Sequence, residues 1–329
     1  MRAGSLASAA AAMTPRKLGR AFRHSAWAAC ALARYGWPQK LIFYNSGIGD
    51  DLLCTTVARE LRNRNSGTIW TGANYCELFD ANPDARAVPN SDWRFGALAS
   101  LLGAEVRPLW YTKYDPDNDR DPEPPLHIAA MMCQAAGTKG SVAIRPYLFL
   151  RRSETAEGNV ADNQIAIQST TRAAATTLQN KEWLPERFQS VVNSLSGRFN
   201  VVQLGGSGDP KLDNVIDLRG KTSLRQAAAI LSRSRLFVGL VGGLMHMARA
   251  VDCPAVIVYG GRERPQISGY VCNTNITATP PCSPCWQRNR CEYDRTCMTE
   301  IGADAVIAAV KTALDSRNGE LCVERVCIP

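Results

Sequence analysis

The chain alternates between two hydrophobic periods. Short apolar runs recur, several of them followed by a turn rich in glycine or acids and then by a segment with helical spacing. Residues 40–45 (KLIFYN) read as a strand and 46–51 (SGIGDD) as a glycine-containing turn. Residues 52–64 then read as a helix with Leu52, Leu53, Val57 and Leu61 on one face and Arg59, Glu60, Arg62 and Arg64 on the other. Strands are predicted at 68–71 and 85–88, with a short helix at 74–79 between them. Residues 93–102 are poorly patterned. The proline- and acid-rich stretch 114–125 (YDPDNDRDPEPP) predicts an exposed loop. A helix follows at 126–136, then an extended segment at 146–154 and a polar linker at 155–163.

The second half repeats the theme. Strands are predicted at 164–168, 200–204, 214–217, 236–240 and 255–259. Helices are predicted at 182–195, with Pro185 in the first turn, and at 223–232, 244–251 and 301–314. The clearest unit is 236–260 (LFVGLVGGLMHMARAVDCPAVIVYG), a strand, a glycine-rich turn, a helix and a strand. Strands alternating with helices in both halves argue for two parallel-sheet α/β domains, with the ligand in the cleft between them. The boundaries read as a basic extension at 1–38, a first domain at 39–154, a second at 155–315 and a tail at 316–329.

Length and charge narrow the picture. The 329 residues suffice for two cores, and no apolar run is long enough to span a bilayer. The formal charge of +8 suits an anionic substrate, a nucleotide or an acidic membrane surface. No helix-turn-helix, zinc-finger or RNP pattern supports nucleic-acid binding. In the extension, residues 1–13 are rich in Ala and Ser. Beyond them Arg16, Lys17, Arg20, Arg23, His24 and Arg34 interleave with Phe22, Trp27, Leu32 and Trp37, as in a basic helix lying on anionic lipid. A helix packed on the domain is the alternative. Residues 26–33 are too weakly apolar for a secretory signal, so a reducing, cytoplasmic setting with mostly free thiols is expected.

Four constellations carry candidate chemistry. Asp50, in the turn Gly47-Ile48-Gly49-Asp50, could act as a general base at a cleft; the alternative is a helix cap. Gly205-Gly206-Ser207-Gly208-Asp209 follows a strand and could hold a nucleotide, with Asp209 accepting from ribose, or could be a surface turn. Thr170, Thr171, Arg172 and Lys181, with the helical His246 beyond Gly242 and Gly243, could hold a diphosphate. Finally, Cys282, Cys285, Cys291 and Cys297 fall within sixteen residues. That density suits one tetrahedral structural metal, zinc first and iron next, with two disulfides as the alternative.

Four segments, in this order, resemble glycosyltransferase family 9, the heptosyltransferases: NSGIGDDLLCTTVARELR, STTRAAATTLQNKEWLPERF, VVQLGGSGD with DLRGKTSL, and VGLVGGLMHMARAVDCPAVIVYG. The resemblance implies a GT-B fold, two Rossmann-like domains facing across a cleft, here with a C-terminal four-cysteine loop. It implies inverting transfer of a sugar, above all a heptose from ADP-heptose, without a catalytic metal. The acceptor would be a hydroxyl of a glycan or glycolipid such as the lipopolysaccharide core, or of a protein as in autotransporter heptosyltransferases. By the same resemblance Asp50 is the base and Lys181 contacts the donor diphosphate. Asp209 meets the ribose, and Gly243 and His246 match the phosphate-side turn and helix; Gly205 and Gly242 complete the expected donor-binding set. The related autotransporter enzymes carry an iron-binding four-cysteine finger. Peripheral contact with the inner face of the cytoplasmic membrane would suit a lipid-linked acceptor. One departure stands out: Val241 occupies the place where many members keep an acid, which leaves a non-catalytic glycan- or nucleotide-binding protein as a further reading.

Overall fold

The computed structural model describes residues 15–44, 47–172, 178–315 and 323–329. Expectations placed on 1–13, on Asn45 and Ser46, on 173–177 and on 316–322 lie outside the described residues, as do those on the side chains of 15–24.

Helix α1 (Pro15–Tyr35) leads into β1 (Lys40–Phe43) and α2 (Ile48–Arg62), followed by β2 (Ile69–Ala73), β3 (Arg86–Pro89), α3 (Trp93–Leu101) and β4 (Glu105–Pro108). The four strands form a parallel sheet in the order β3-β2-β1-β4. Its central strands are apolar because both faces are covered. On one face α1 and α3 pack Trp27, Tyr35, Phe95 and Leu98 against Leu41, Trp70 and Val88. The Trp27 and Phe95 rings meet edge-on at 5.1 Å, and Trp70 Nε1 donates to the Tyr35 carbonyl at 3.1 Å. Trp27 and Leu32, on which the membrane-surface expectation partly rested, are therefore spent on the domain. Trp37 remains 56% exposed. On the other face lie α2 and α4 (Ile128–Ala135).

Strand β5 (Gly140–Ala143) stands outside this sheet and pairs antiparallel with β12 (Arg325–Ile328), with Val142 opposite Val326. The end of the chain thus returns to the first half, where a tail was expected. After α5 (Arg152–Glu157) come β6 (Gln164–Ile167), α6 (Pro185–Leu195), β7 (Asn200–Gln203), β8 (Ile216–Asp217), α7 (Leu224–Arg233), β9 (Phe237–Leu240), α8 (Gly243–Ala250), β10 (Ala255–Gly260), α9 (Pro265–Ser268), β11 (Thr274–Thr277), α10 (Thr296–Thr299) and α11 (Ala303–Asp315). The second sheet is parallel throughout, in the order β11-β10-β9-β6-β7-β8. Helices α6 and α11 cover one face through Phe188, Val191, Val306 and Val310. Helices α7 and α8 cover the other, and their inner residues Leu231, Met245 and Met247 share one core with Leu52, Leu53 and Met132 of the first half. Arg225 of α7 fastens the junction: two 2.6 Å bonds reach Glu154, and others reach the carbonyls of Phe149 (2.8 Å) and Glu77 (3.0 Å).

Most predicted elements are present. Residues 93–102, read as unpatterned, form α3, whose Asp92 cap accepts from Arg94 N at 3.1 Å. Strands β4, β5 and β11 were not foreseen. Each is four residues long with exposed positions, and such edge strands have too little apolar signal to read. The acidic stretch 114–125 is not simply an exposed loop, because Asp119 and Asp121 are each only 5% exposed.

Candidate active site

A cleft of about 510 Å³ opens where β1 and β9 run into the N-termini of α2 and α8. Asp50, in the first turn of α2, lines it. Its Oδ2 accepts from Gly47 N at 3.1 Å, and its Oδ1 accepts from the Tyr111 hydroxyl at 3.0 Å. Asp50 is thus both helix cap and cleft carboxylate, so the two readings of this residue are not exclusive. Tyr111 stacks on Tyr44 at 5.1 Å. Burial, reinforced by the Asp50 charge, pushes the phenol's pKa well up, so it stays a proton donor. The neighbouring Asp51 points inward and accepts from Asn74 N (2.9 Å) and Tyr75 N (2.8 Å). Burial lifts its pKa to about 7.

Glycines let the two helix N-termini meet. A Cβ on Gly49 would lie 2.8 Å from His246 Cδ2, and one on Gly243 would lie 3.2 Å from Ile48 Cβ. The paired N-termini aim unsatisfied amides into one place, an arrangement suited to phosphate. His246 is buried there, its Nδ1 at 2.5 Å from the Tyr270 hydroxyl. Burial, with the nearby His127 and Lys181, pulls its pKa down to about 3. The ring is neutral at physiological pH. Its Nδ1 is engaged by the Tyr270 hydroxyl, with either group able to donate. His246 therefore offers a hydrogen bond, not a charge.

The remaining predicted residues divide. Lys181, Thr171, Gly205, Asp209, Gly242 and Gly243 line the cleft. Thr170 is fully buried behind it, and its hydroxyl donates to Asp209 Oδ1 at 2.8 Å. It supports Asp209, a correction to its expected place in the donor site. Thr171 N donates to Glu182 Oε1 at 2.8 Å, and its hydroxyl bonds the same oxygen. Asp209 Oδ2 accepts from Gly206 N at 2.8 Å. Gly205 holds φ +136°, and a Cβ there would lie 2.3 Å from that carboxylate, so only glycine fits.

Lys181 is paired with Glu263 Oε1 at 2.5 Å. Arg262 Nη1 reaches the same oxygen at 3.0 Å, and its Nη2 reaches Asp121 Oδ2 at 2.7 Å. Arg288 donates to both oxygens of Asp121, at 2.6 and 3.0 Å. Sequence reasoning missed Tyr111, Asp121, Arg262, Glu263, Tyr270 and Arg288. Glu263 had a signal: it sits just past the C-terminal end of β10, where parallel sheets place ligand-facing residues. Val241 is buried in the cleft wall, and Glu263 lines the same cleft.

Burial, chiefly, and the neighbouring thiols raise the pKa of both Cys285 and Cys297, which places all four cysteines of 282–297 in one neighbourhood. Cys291 Sγ accepts from Arg295 N at 3.3 Å. Among the described residues, no three His, Cys, Asp or Glu side chains converge closely enough to hold a metal ion, so the arrangement of thiols does not itself fit a zinc or iron site.

Known structures show the same architecture. TibC, an iron-containing dodecameric glycosyltransferase from enterotoxigenic E. coli, is similar with a TM-score of 0.66 and 16% identity, over 85% of this chain and 77% of that one. A family 9 glycosyl transferase from Veillonella parvula gives 0.59 and 17%, over 84% and 98%. The E. coli ADP-heptose lipopolysaccharide heptosyltransferase II gives 0.60 and 15%, over 84% and 98%. No curated protein matches the chain by sequence. The fold is GT-B, that of glycosyltransferases built from two parallel-sheet halves around a cleft. Residues 148–294 match the sequence model of glycosyltransferase family 9 (heptosyltransferase).

Proposed function

We propose that the chain is an inverting glycosyltransferase that moves a heptose from ADP-heptose to a hydroxyl of a cell-surface glycan precursor such as the lipopolysaccharide core. The observation that carries this reading is one cleft holding a carboxylate, Asp50, opposite a helix N-terminus flanked by a lysine. Residues 39–154 form the acceptor side and 155–315 the nucleotide-sugar side. TibC has been crystallised with ADP-D-β-D-heptose, and the E. coli heptosyltransferase WaaC with ADP. The acceptor hydroxyl attacks the anomeric carbon from the face opposite the diphosphate, and Asp50 takes its proton. Charge grows on the departing diphosphate, where Lys181, the α8 amides and His246 oppose it. Tyr111 fixes the direction of the Asp50 carboxylate.

A protein acceptor is the second reading, supported by the four-cysteine stretch together with the likeness to the iron-containing glycosyltransferase TibC. The cysteines would then form a structural zinc or iron site in the loop beside the cleft. Among the described residues no helix is long and apolar enough to cross a membrane. We place the protein in the cytoplasm, where its donor is made.

The test is Asp50→Asn, which keeps an oxygen for the Gly47 cap. Transfer from ADP-heptose should fall by about 10³-fold, within the range of general-base contributions, while ADP affinity measured by calorimetry stays unchanged. Wild-type transfer by this variant would remove Asp50 from the mechanism.

A further inference from the structure

The acidic loop and the loop that carries the cysteines are zipped together beside the cleft. Asp119 Oδ2 accepts from Asn289 N (2.6 Å) and Arg290 N (2.7 Å), and Asp121 N donates to the Trp286 carbonyl at 3.1 Å. The Arg288 guanidinium lies 3.8 Å above the Tyr114 ring. Asp121 belongs to the first half of the chain, whereas Arg262, Glu263, Arg288 and Lys181 belong to the second. A file of ion pairs, Asp121–Arg262–Glu263–Lys181, therefore begins on one side of the cleft and ends at an ammonium on the other. Its side chains are 7%, 3%, 4% and 13% exposed, so solvent screens these charges weakly and each holds the next in place.

The file solves a physical problem. A lysine paired with a carboxylate is a poor anion site, because the carboxylate repels the incoming phosphate. Here Arg262 shares the same Glu263 oxygen and neutralises it, and Arg288 adds a third cation to the group. Lys181, Arg262 and Arg288 against Asp121 and Glu263 leave one net positive charge within this cluster.

We propose that Asp121, Arg262 and Glu263 are positioning residues: they carry the docking of loop 114–125 through a line of ion pairs to the Lys181 ammonium, so that Lys181 is placed for a phosphoanion only when that loop is docked. This rests on the reading of Lys181 as the diphosphate contact, but the chain of positioning can be tested apart from it. Removing the Asp121 charge makes the cluster more positive. Simple electrostatics then predicts tighter binding of an anion, and positioning predicts weaker binding.

The experiment follows acylation of Lys181 by an amine-reactive reagent, read by mass spectrometry, with and without inorganic pyrophosphate. In Asp121→Asn, Lys181 should label about tenfold faster, and about tenfold more pyrophosphate should be needed to protect it, the scale of one lost charge-assisted hydrogen bond. Arg262→Lys keeps the net charge but loses the forked contact to Asp121 and Glu263, and should behave alike; it decides the matter if Asp121→Asn does not fold. Asp121→Glu should restore part of the protection. Unchanged labelling in both variants, or tighter pyrophosphate binding by Asp121→Asn, overturns the proposal. If pyrophosphate fails to protect Lys181 even in the wild type while both variants label faster, the positioning chain stands and the phosphate reading of Lys181 falls.

Discussion

Gly49→Ala sets two effects of one methyl group against each other. Alanine is the better helix former, by up to about 1 kcal/mol over glycine, less at the first turn. Helix propensity alone predicts a neutral or stabilised protein. The contact between halves predicts the opposite. The new Cβ would stand 2.8 Å from His246 Cδ2, where ordinary contact begins near 3.4 Å, so about 0.6 Å must be found. His246 cannot yield it cheaply. The ring is buried and tied to the Tyr270 hydroxyl at 2.5 Å. Nor does the backbone behind it give room, because Gly243 Cα lies 3.7 Å from the same Cβ. The N-termini of α2 and α8 must part. Overpacking of this kind costs about 1–3 kcal/mol, which leaves a net loss of about 1–2 kcal/mol and a Tm lower by about 3 °C. The same displacement moves Asp50, one residue on, away from the α8 side of the cleft. Transfer should fall by about tenfold, since ångström-scale misplacement of a reacting group costs up to about 100-fold. Calorimetric unfolding and initial rates of transfer from ADP-heptose read both. A Gly49→Ala protein with raised Tm and undiminished transfer would show that the two helix ends do not bear on each other.

Asp51 makes stability depend on pH. Its folded pKa, about 7, lies above the unfolded value near 4, so the folded state binds the proton more tightly. Stability from this group is fully present below pH 4 and is lost as pH rises through 7, on the order of 4 kcal/mol in all. Asp51→Asn keeps an oxygen for the Asn74 and Tyr75 amides. It should be more stable than the wild type at pH 8 in urea titrations and no more stable at pH 4; equal stabilities at both pH values would mean that Asp51 is not so perturbed. The second reading, a protein acceptor with the thiols closed on a metal, predicts about one zinc or iron per chain after purification under reducing conditions, lost together in Cys282→Ser and Cys291→Ser. Metal-free protein with a normal Tm would remove the metal reading.

Much of this protein is written locally. A strand buried on both faces must be apolar, so β1, β6, β7, β9 and β10 are legible as runs; glycine-bearing turns follow β1, β7, β9 and β10, and a Ser/Thr-rich loop follows β6. Asp50, Lys181, Gly205, Gly242, Gly243 and His246 could be named because their chemistry sits in those turns, next to the elements that hold them. Only the tertiary structure decided the rest. Glu263 joining the cleft, Tyr111 holding Asp50, Tyr270 engaging His246 and Asp121 reaching Arg262 are contacts between residues far apart in the chain. The pairing of β12 with β5 and the turning of Thr170 away from the cleft are of the same kind. The physical reason is that periodicity and turn chemistry act over a few residues, whereas burial, proton position and ion pairing depend on which surfaces the folded chain brings together.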